Sequence, residues 1–188
     1  MSPAIRPATP ADAARLSAFA AATFQDTFGP HNTAADMDRY LAEAFSAERQ
    51  AAEIASPDDV VLLAEAAAPP GGAAELVGYA HLAGSPAPAA VTGPAPVELK
   101  RLYVGRAWHG RGVAQALMAA AIDAARARGA RTLWLGVWEH NPRAAAFYAK
   151  HGFARVGAHT FRLGDDAQTD WLLARPLDAA PDAAPASA

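Results

Sequence analysis

The chain has 188 residues, a formal net charge of −3 and a sequence pI near 6.0, and it contains no cysteine. That balance excludes a general affinity for nucleic acid or an anionic membrane, which needs a basic surface, and the missing thiols exclude disulfides, thiolate catalysis and cysteine-ligated metal. The longest apolar run, Gly112 to Ile122, ends at Asp123 and is too short for a membrane span; an N-terminus carrying Arg6, Asp12 and Arg15 reads poorly as a signal peptide, so a cytoplasmic protein is expected.

The length suits one domain over 1–177, with the Ala/Pro/Asp tail 178–188 read as disordered. In chain order, Ala4 to Ala8 reads as a first strand, and Thr9-Pro10 as a helix start with Thr9 as N-cap. Leu16, Phe19, Ala20 and Thr23 follow at helical spacing, and Phe24 to Thr33 reads as a loop. Thr33 with Asp36 opens a second helix carrying Met37, Tyr40, Leu41 and Phe45 on one face, and Ser46 caps its continuation to Ile54. Strands Asp59–Ala66 and Glu75–Ala83, separated by the turn Pro69–Gly72, make a hairpin. The Gly/Pro/Ala-rich stretch Gly84–Pro96 is an irregular loop, mobile or shaped by a partner. Strand Val97–Val104 passes through a glycine turn into the helix Gly112–Arg128, with Gly129 as its C-terminal stop. Thr132–Trp138 is apolar at nearly every position, hence a central strand covered on both faces. A short helix, Arg143–His151, and two strands, Phe153–Leu163 and Thr169–Leu177, complete the chain.

The centre carries the chemistry. In the run from Glu98 to Leu117, a β-favouring strand enters an Ala-rich helix through a turn in which Gly110 and Gly112 allow the backbone to approach a ligand. The first helical turn offers unpaired N–H groups and a positive dipole end to a pyrophosphate, and Arg106 and Arg111 add guanidinium forks. The fold class is α/β, with a mixed sheet in the order β-α-α-β-β-β-α-β-α-β-β and a parallel pair between Val97–Val104 and Thr132–Trp138. Within the first of these, Val97 and Leu99 keep period two, as do Leu102 and Val104, yet Leu99 to Leu102 is a step of three. Such a parity break predicts a β-bulge that bends the strand from its parallel neighbour and frees the backbone groups of Leu102 and Val104.

Two motifs now carry a resemblance. The run W-H-G-R-G-V-A-Q-A-L resembles motif A of the GCN5-related N-acetyltransferases, and N-P-R-A-A-A-F-Y-A-K-H-G-F (Asn141 to Phe153) resembles their motif B. The order of strands extends the likeness from Ala4 to about Leu177, and T-F-Q-D-T-F-G with D-M-D-R-Y-L is most similar to the PaiA-like branch, some of whose members acetylate polyamines.

The resemblance implies an acyltransferase that moves an acetyl group from acetyl-CoA directly to an amine. The pantetheine would pair with the backbone of Leu102 and Val104, with Tyr103 beside them, and the pyrophosphate would sit on the turn His109, Gly110, Arg111, Gly112, Val113 and Ala114. His109 departs from the usual Gln or Arg, a position that contributes mainly its backbone N–H. Asn141 would hydrogen-bond the pantetheine, and Tyr148 matches the tyrosine that protonates the departing thiolate. Glu98 is the first candidate for the base that takes the amine proton, and Glu139 the second. A free N–H near Leu102 or Tyr103 would stabilise the developing oxyanion.

Each residue also has an ordinary reading: Tyr148 as core, Glu98 as a strand-end charge, Asn141 as a helix N-cap, and Asp26, Asp36, Asp38 and Glu43 as a solvated helix face. The histidines lack metal-ligand spacing, so no metal is expected. The glycine run lacks the third glycine of a dinucleotide fingerprint and the Gly-Lys-Ser/Thr of a P-loop. The acceptor pocket falls on Phe24–Thr33, Gly84–Pro96 and roughly Val156–Asp166. With Asp26, Glu98 and Glu139 nearby, a small cationic primary amine is the expected acceptor. The alternatives are a protein or peptide acceptor, or a non-catalytic domain that only binds CoA; a homodimer is compatible with the resemblance.

Overall fold

The structure is a computed structural model that describes residues 3–67, 72, 74–164 and 166–177. One seven-stranded sheet runs through it: β1 (Ala4–Pro7), β2 (Val60–Ala66), β3 (Glu75–Ala83), β4 (Pro96–Val104), β5 (Thr132–Trp138), β6 (Ala154–Leu163) and β7 (Asp166–Pro176). Their spatial order is β1-β2-β3-β4-β5-β7-β6. β4 and β5 are parallel, and the other neighbouring pairs are antiparallel.

Helices α1 (Ala13–Phe28), α2 (Ala34–Ala44) and α3 (Ala47–Ala55) lie on one face, and α4 (Val113–Ala127) on the other. The fifth helix, α5 (Pro142–Lys150), follows β5. The Ala content of α4 lets it sit close to the sheet. Val113, Leu117, Met118, Ala121, Ile122 and Ala125 form its buried stripe against Leu62, Ala80, Leu99, Leu133 and Leu135. Gly78 completes the fit, because a β-carbon there would stand 3.0 Å from Leu117. On the opposite face Leu16, Ala20, Phe24, Met37 and Phe45 cover Val61, Leu63 and Tyr79.

The parity break is a bulge. His81 pairs with Arg101 and Leu82 with Leu99, leaving Lys100 without a partner on β3. Leu99 and Leu102 consequently share the core beneath α4 despite their odd spacing. Beyond the bulge β4 leaves β5: the parallel pairing covers only Pro96–Glu98 against Thr132–Trp134, not the full strands.

Four expectations need correction. α1 continues through Phe28 into a 3-10 turn at Gly29–His31, so Phe24 to Phe28 are helical. Their rings pack along the helix (Phe24 on Phe28 at 4.5 Å, on Phe45 at 5.3 Å), and that burial outweighs the polar Gln25-Asp26-Thr27 between them. The stretch capped by Ser46 is a separate helix, since the chain leaves helical geometry at Phe45. β7 begins at Asp166 rather than Thr169, because the β6–β7 ladder runs out to the Leu163–Asp166 pair. The loop after β3 is pinned to the sheet, Val91 being buried with Trp134 and Leu172. Most of the turn Pro69–Gly72 and the tail 178–188 lie outside the described residues. No helix among those residues is long and apolar enough to cross a membrane.

Candidate active site

The site begins where β4 and β5 part. The Gly105 amide donates to Val77 of β3 at 2.9 Å, which fixes the phase of the ladder. Backbone groups alternate direction along a strand, so Tyr103 turns toward its partner Tyr79 while Leu102 and Val104 turn theirs into the gap. The amides turned into the gap are therefore those of Leu102 and Val104 and not that of Tyr103, whose ring packs against Tyr79 and Phe24.

A buried ionic cluster underpins the bulge, and the sequence reading missed it. Glu53 of α3 accepts from Arg101 at 2.6 Å and from Lys100 at 3.0 Å, and His81 lies 3.7 Å away. Burial alone would raise the Glu53 pKa; Arg101, His81 and Lys100 outweigh it and hold the carboxyl down at about 2. Burial likewise pushes His81 down to about 4. The two consecutive basic residues at the bulge are the signal for this cluster.

The gap opens into a cavity of about 450 Å³. Of the expected cofactor residues, Leu102, Tyr103, Val104, His109, Ala114, Asn141 and Tyr148 line it. Gly110, Arg111, Gly112 and Val113 form the adjoining turn, with the Val113 side chain in the core and only its backbone available. Gly110 and Gly112 have φ of 75° and 81°, and nothing stands within 4 Å of where their β-carbons would be. Backbone conformation and open approach, not packing, thus demand glycine at both. His109 does more than its backbone: Arg143 donates to Nδ1 at 3.1 Å, so the proton lies on Nε2, which donates to the Val104 carbonyl at 2.9 Å. That carbonyl, expected to be free, is engaged. Arg111 stacks over Trp108 at 5.2 Å.

Asn141 caps α5, its Oδ1 accepting from the Ala144 amide at 3.1 Å, and the residue also lines the cavity. Tyr148 packs on Phe147 and Phe153, and burial pushes its pKa up to about 12, so the hydroxyl carries its proton at neutral pH. Glu98 lines the cavity wall. Glu139 does not: its carboxylate lies 4.0 Å from His140, outside the wall. Asp26 borders a separate pocket with Arg106, His109 and Arg143. The end of the main cavity away from the glycine turn, where the acceptor was expected, is lined from α1, α2, β5, β6 and β7, and no residue of the loop 84–95 lines it. Phe28, Tyr40, Trp138 and Phe161 form an aromatic wall there; His159 falls within the expected stretch 156–166, while Gln168 and Asp170 of β7 are polar residues outside it. Burial pushes Asp170 up to about 6, against the pull of His159 and with Glu139 adding to the rise.

Comparison with known proteins agrees with this geometry. The family model "Acetyltransferase (GNAT) family" matches residues 24–153. An uncharacterized N-acetyltransferase from Lactobacillus delbrueckii subsp. lactis is 36% identical over 155 residues, covering 82% of this chain and 86% of that protein. Another from Mycobacterium tuberculosis is 35% identical over 167 residues, covering 88% and 98%. Among solved structures, the PaiA N-acetyltransferase of Thermoplasma acidophilum in complex with coenzyme A shares the fold, with a TM-score of 0.72 at 20% identity over 94% of this chain and 99% of that one. With a bulged β4 splayed from β5, a glycine turn feeding α4 and these relatives, the chain belongs to the GNAT acetyltransferase family and is an acetyl-CoA-dependent acyltransferase.

Proposed function

We propose that this enzyme acetylates a primary amine of a small, cationic acceptor in the cytoplasm, by direct transfer without an acyl-enzyme. The observation that carries the reading is a single cavity joining the Leu102–Val104 edge and Tyr148 to an aromatic, carboxylate-bearing end. Acetyl-CoA supplies an activated thioester; the residues present fit it through the two gap-facing amides, the open glycine cradle and the arginines around it. In this reading the Leu102 N–H stabilises negative charge on the thioester oxygen. Tyr148, kept protonated by burial, gives a proton to the leaving sulfur. A carboxylate of the cavity wall takes the proton of the incoming ammonium, and Glu98 and Asp170 are the two on that wall.

The aromatic wall with the Asp170 carboxylate beside it favours a cation over a carboxylate-bearing acceptor, since a carboxylate stabilises the docking ammonium and the rings attract positive charge. A turnover screen with thiol-release detection tests this, comparing spermidine, an aminoglycoside, an N-terminal peptide and glutamate. Higher kcat/KM for the small cations, eroded by added salt, is expected. Preference for glutamate or for the peptide would overturn the acceptor class, and CoA binding without turnover of any amine would overturn catalysis.

A further inference from the structure

Asp170 and His159 stand at the acceptor end with no role in the donor half of the site. They belong to neighbouring strands, paired across the β6–β7 ladder, and both reach over Gly136 of β5. A β-carbon at Gly136 would lie 3.1 Å from His159 Nε2 and 3.3 Å from Asp170 Oδ2. The missing side chain therefore leaves a small clearing bordered by a carboxylate and an imidazole. No hydrogen bond or ion pair among the described residues engages that carboxylate. A half-buried acid with no hydrogen-bond partner, open to a cavity, can accept a hydrogen bond from a bound molecule.

Register separates it from Glu98. Glu98 is the last β4 residue paired with β5, opposite Trp134. Leu102, with the oxyanion-facing amide, is four residues further on, one of them absorbed by the bulge. The same advance along β5 reaches Val137 and Trp138, and Trp138 pairs with Asp170. Glu98 therefore sits about 10–13 Å of strand behind the reacting level at ~3.3 Å per residue, whereas Asp170 sits beside it.

We propose that Asp170, flanked by His159, is the carboxylate that receives the acceptor ammonium and takes its proton. This rests on the acetyltransfer reading above and names the residue that reading leaves open. One N–H proton of the ammonium passes to Asp170. The freed lone pair forms the C–N bond to the acetyl carbon as the C–S bond breaks with its pair on sulfur. Tyr148 protonates that sulfur, and the second amine proton, shed as the amide forms, restores the Tyr148 hydroxyl through solvent. Asp170 then releases its proton, so each turnover yields one proton, one amide and one free thiol. The groups that tune Asp170 are His159 from β6, Glu139 at the end of β5 and Tyr40 from α2. A carboxyl held near neutrality is matched to this task, ionised at working pH yet basic enough to accept.

The test measures kcat/KM from pH 5 to 9 for wild type, Asp170→Asn, Asp170→Glu and Glu98→Gln, with CoA-induced thermal stabilisation recorded for each. Asp170→Asn should lower kcat/KM about a hundredfold or more and erase an acidic limb near pH 6, Asp170→Glu should restore part of both, and stabilisation by CoA should be unchanged. A second arm titrates 1,4-diaminobutane into the CoA-bound protein by calorimetry, and its affinity should fall at least about tenfold in Asp170→Asn, the scale of one charge-assisted contact. Wild-type kcat/KM in Asp170→Asn, loss of the acidic limb in Glu98→Gln instead, or diamine binding that is absent or equal in both proteins would overturn the proposal. Failure of CoA to stabilise the wild type would strike the acetyl-CoA reading itself, a separate result.

Discussion

Replacing Glu53 by glutamine tests whether the ionic cluster under the bulge holds β4 in its splayed form. The perturbation is small in volume and large in charge: Arg101, only 8% exposed, keeps its position but loses the carboxylate 2.6 Å away, and Lys100 loses its partner at 3.0 Å. With the folded pKa at about 2 against an ordinary 4.5, the ionised carboxylate contributes ~3 kcal/mol of stability. That lies at the lower edge of the ~3–5 kcal/mol expected when a buried pair loses one member. Because the folded pKa is depressed, the contribution is complete above pH 4.5 and disappears as pH falls through 2. Urea unfolding at pH 7 should therefore show Glu53→Gln about 3 kcal/mol less stable than wild type, with Tm lower by ~6–12 °C, and the gap should narrow toward pH 2.5. Glu48→Gln, on the exposed side of the same helix, should change stability by less than ~0.5 kcal/mol. A Glu53→Gln protein within that same margin at pH 7, or a gap that does not shrink in acid, would refute the reasoning.

Gly112→Val should fold with a penalty of ~1–2 kcal/mol for a side chain at φ 81°, yet lose the rise in Tm that CoA gives the wild type; equal stabilisation of both proteins would remove the turn from the cofactor site. Tyr148→Phe keeps the ring against Phe147 and Phe153, so CoA stabilisation should persist while turnover falls roughly ten- to a thousandfold; unchanged turnover with chemistry rate-limiting would assign the proton to another donor. Asp170, with its folded pKa raised to about 6, contributes most to stability below the ordinary carboxyl range and loses that contribution as pH rises through 6. Asp170→Asn should then be stabilised relative to wild type by ~1–2 kcal/mol at pH 8 and by nearly nothing at pH 4, as read from Tm at the two pH values.

Much of the donor half was legible because its constraints are local. Gly110 and Gly112 must be glycine for a backbone conformation that two or three residues define, and the odd step from Leu99 to Leu102 records a bulge within one strand. The same locality explains the caps: Thr33 accepts from Asp36 and Ser46 from Arg49 as their spacing predicts. Asn141 caps α5 as its position before Pro142 predicts, and it also lines the cavity.

The acceptor half was decided by the tertiary structure. Asp170 sits in a strand, and no pattern along β7 reveals that β6, β5 and α2 bring a cavity against its side chain. Phe24 and Phe28 read as loop residues because Gln25-Asp26-Thr27 break the apolar spacing; they are helical because Tyr40 and Phe45, from elsewhere in the chain, pack on Phe24 and Trp138 of β5 packs on Phe28. Glu53 and Arg101 look like surface charges until a bulge forty-eight positions away in the chain turns one toward the other. Backbone geometry and capping are written within a few residues of where they act. Burial, pKa and the facing of a polar group depend on what the rest of the chain brings against it, and only the assembled sheet and helices supply that.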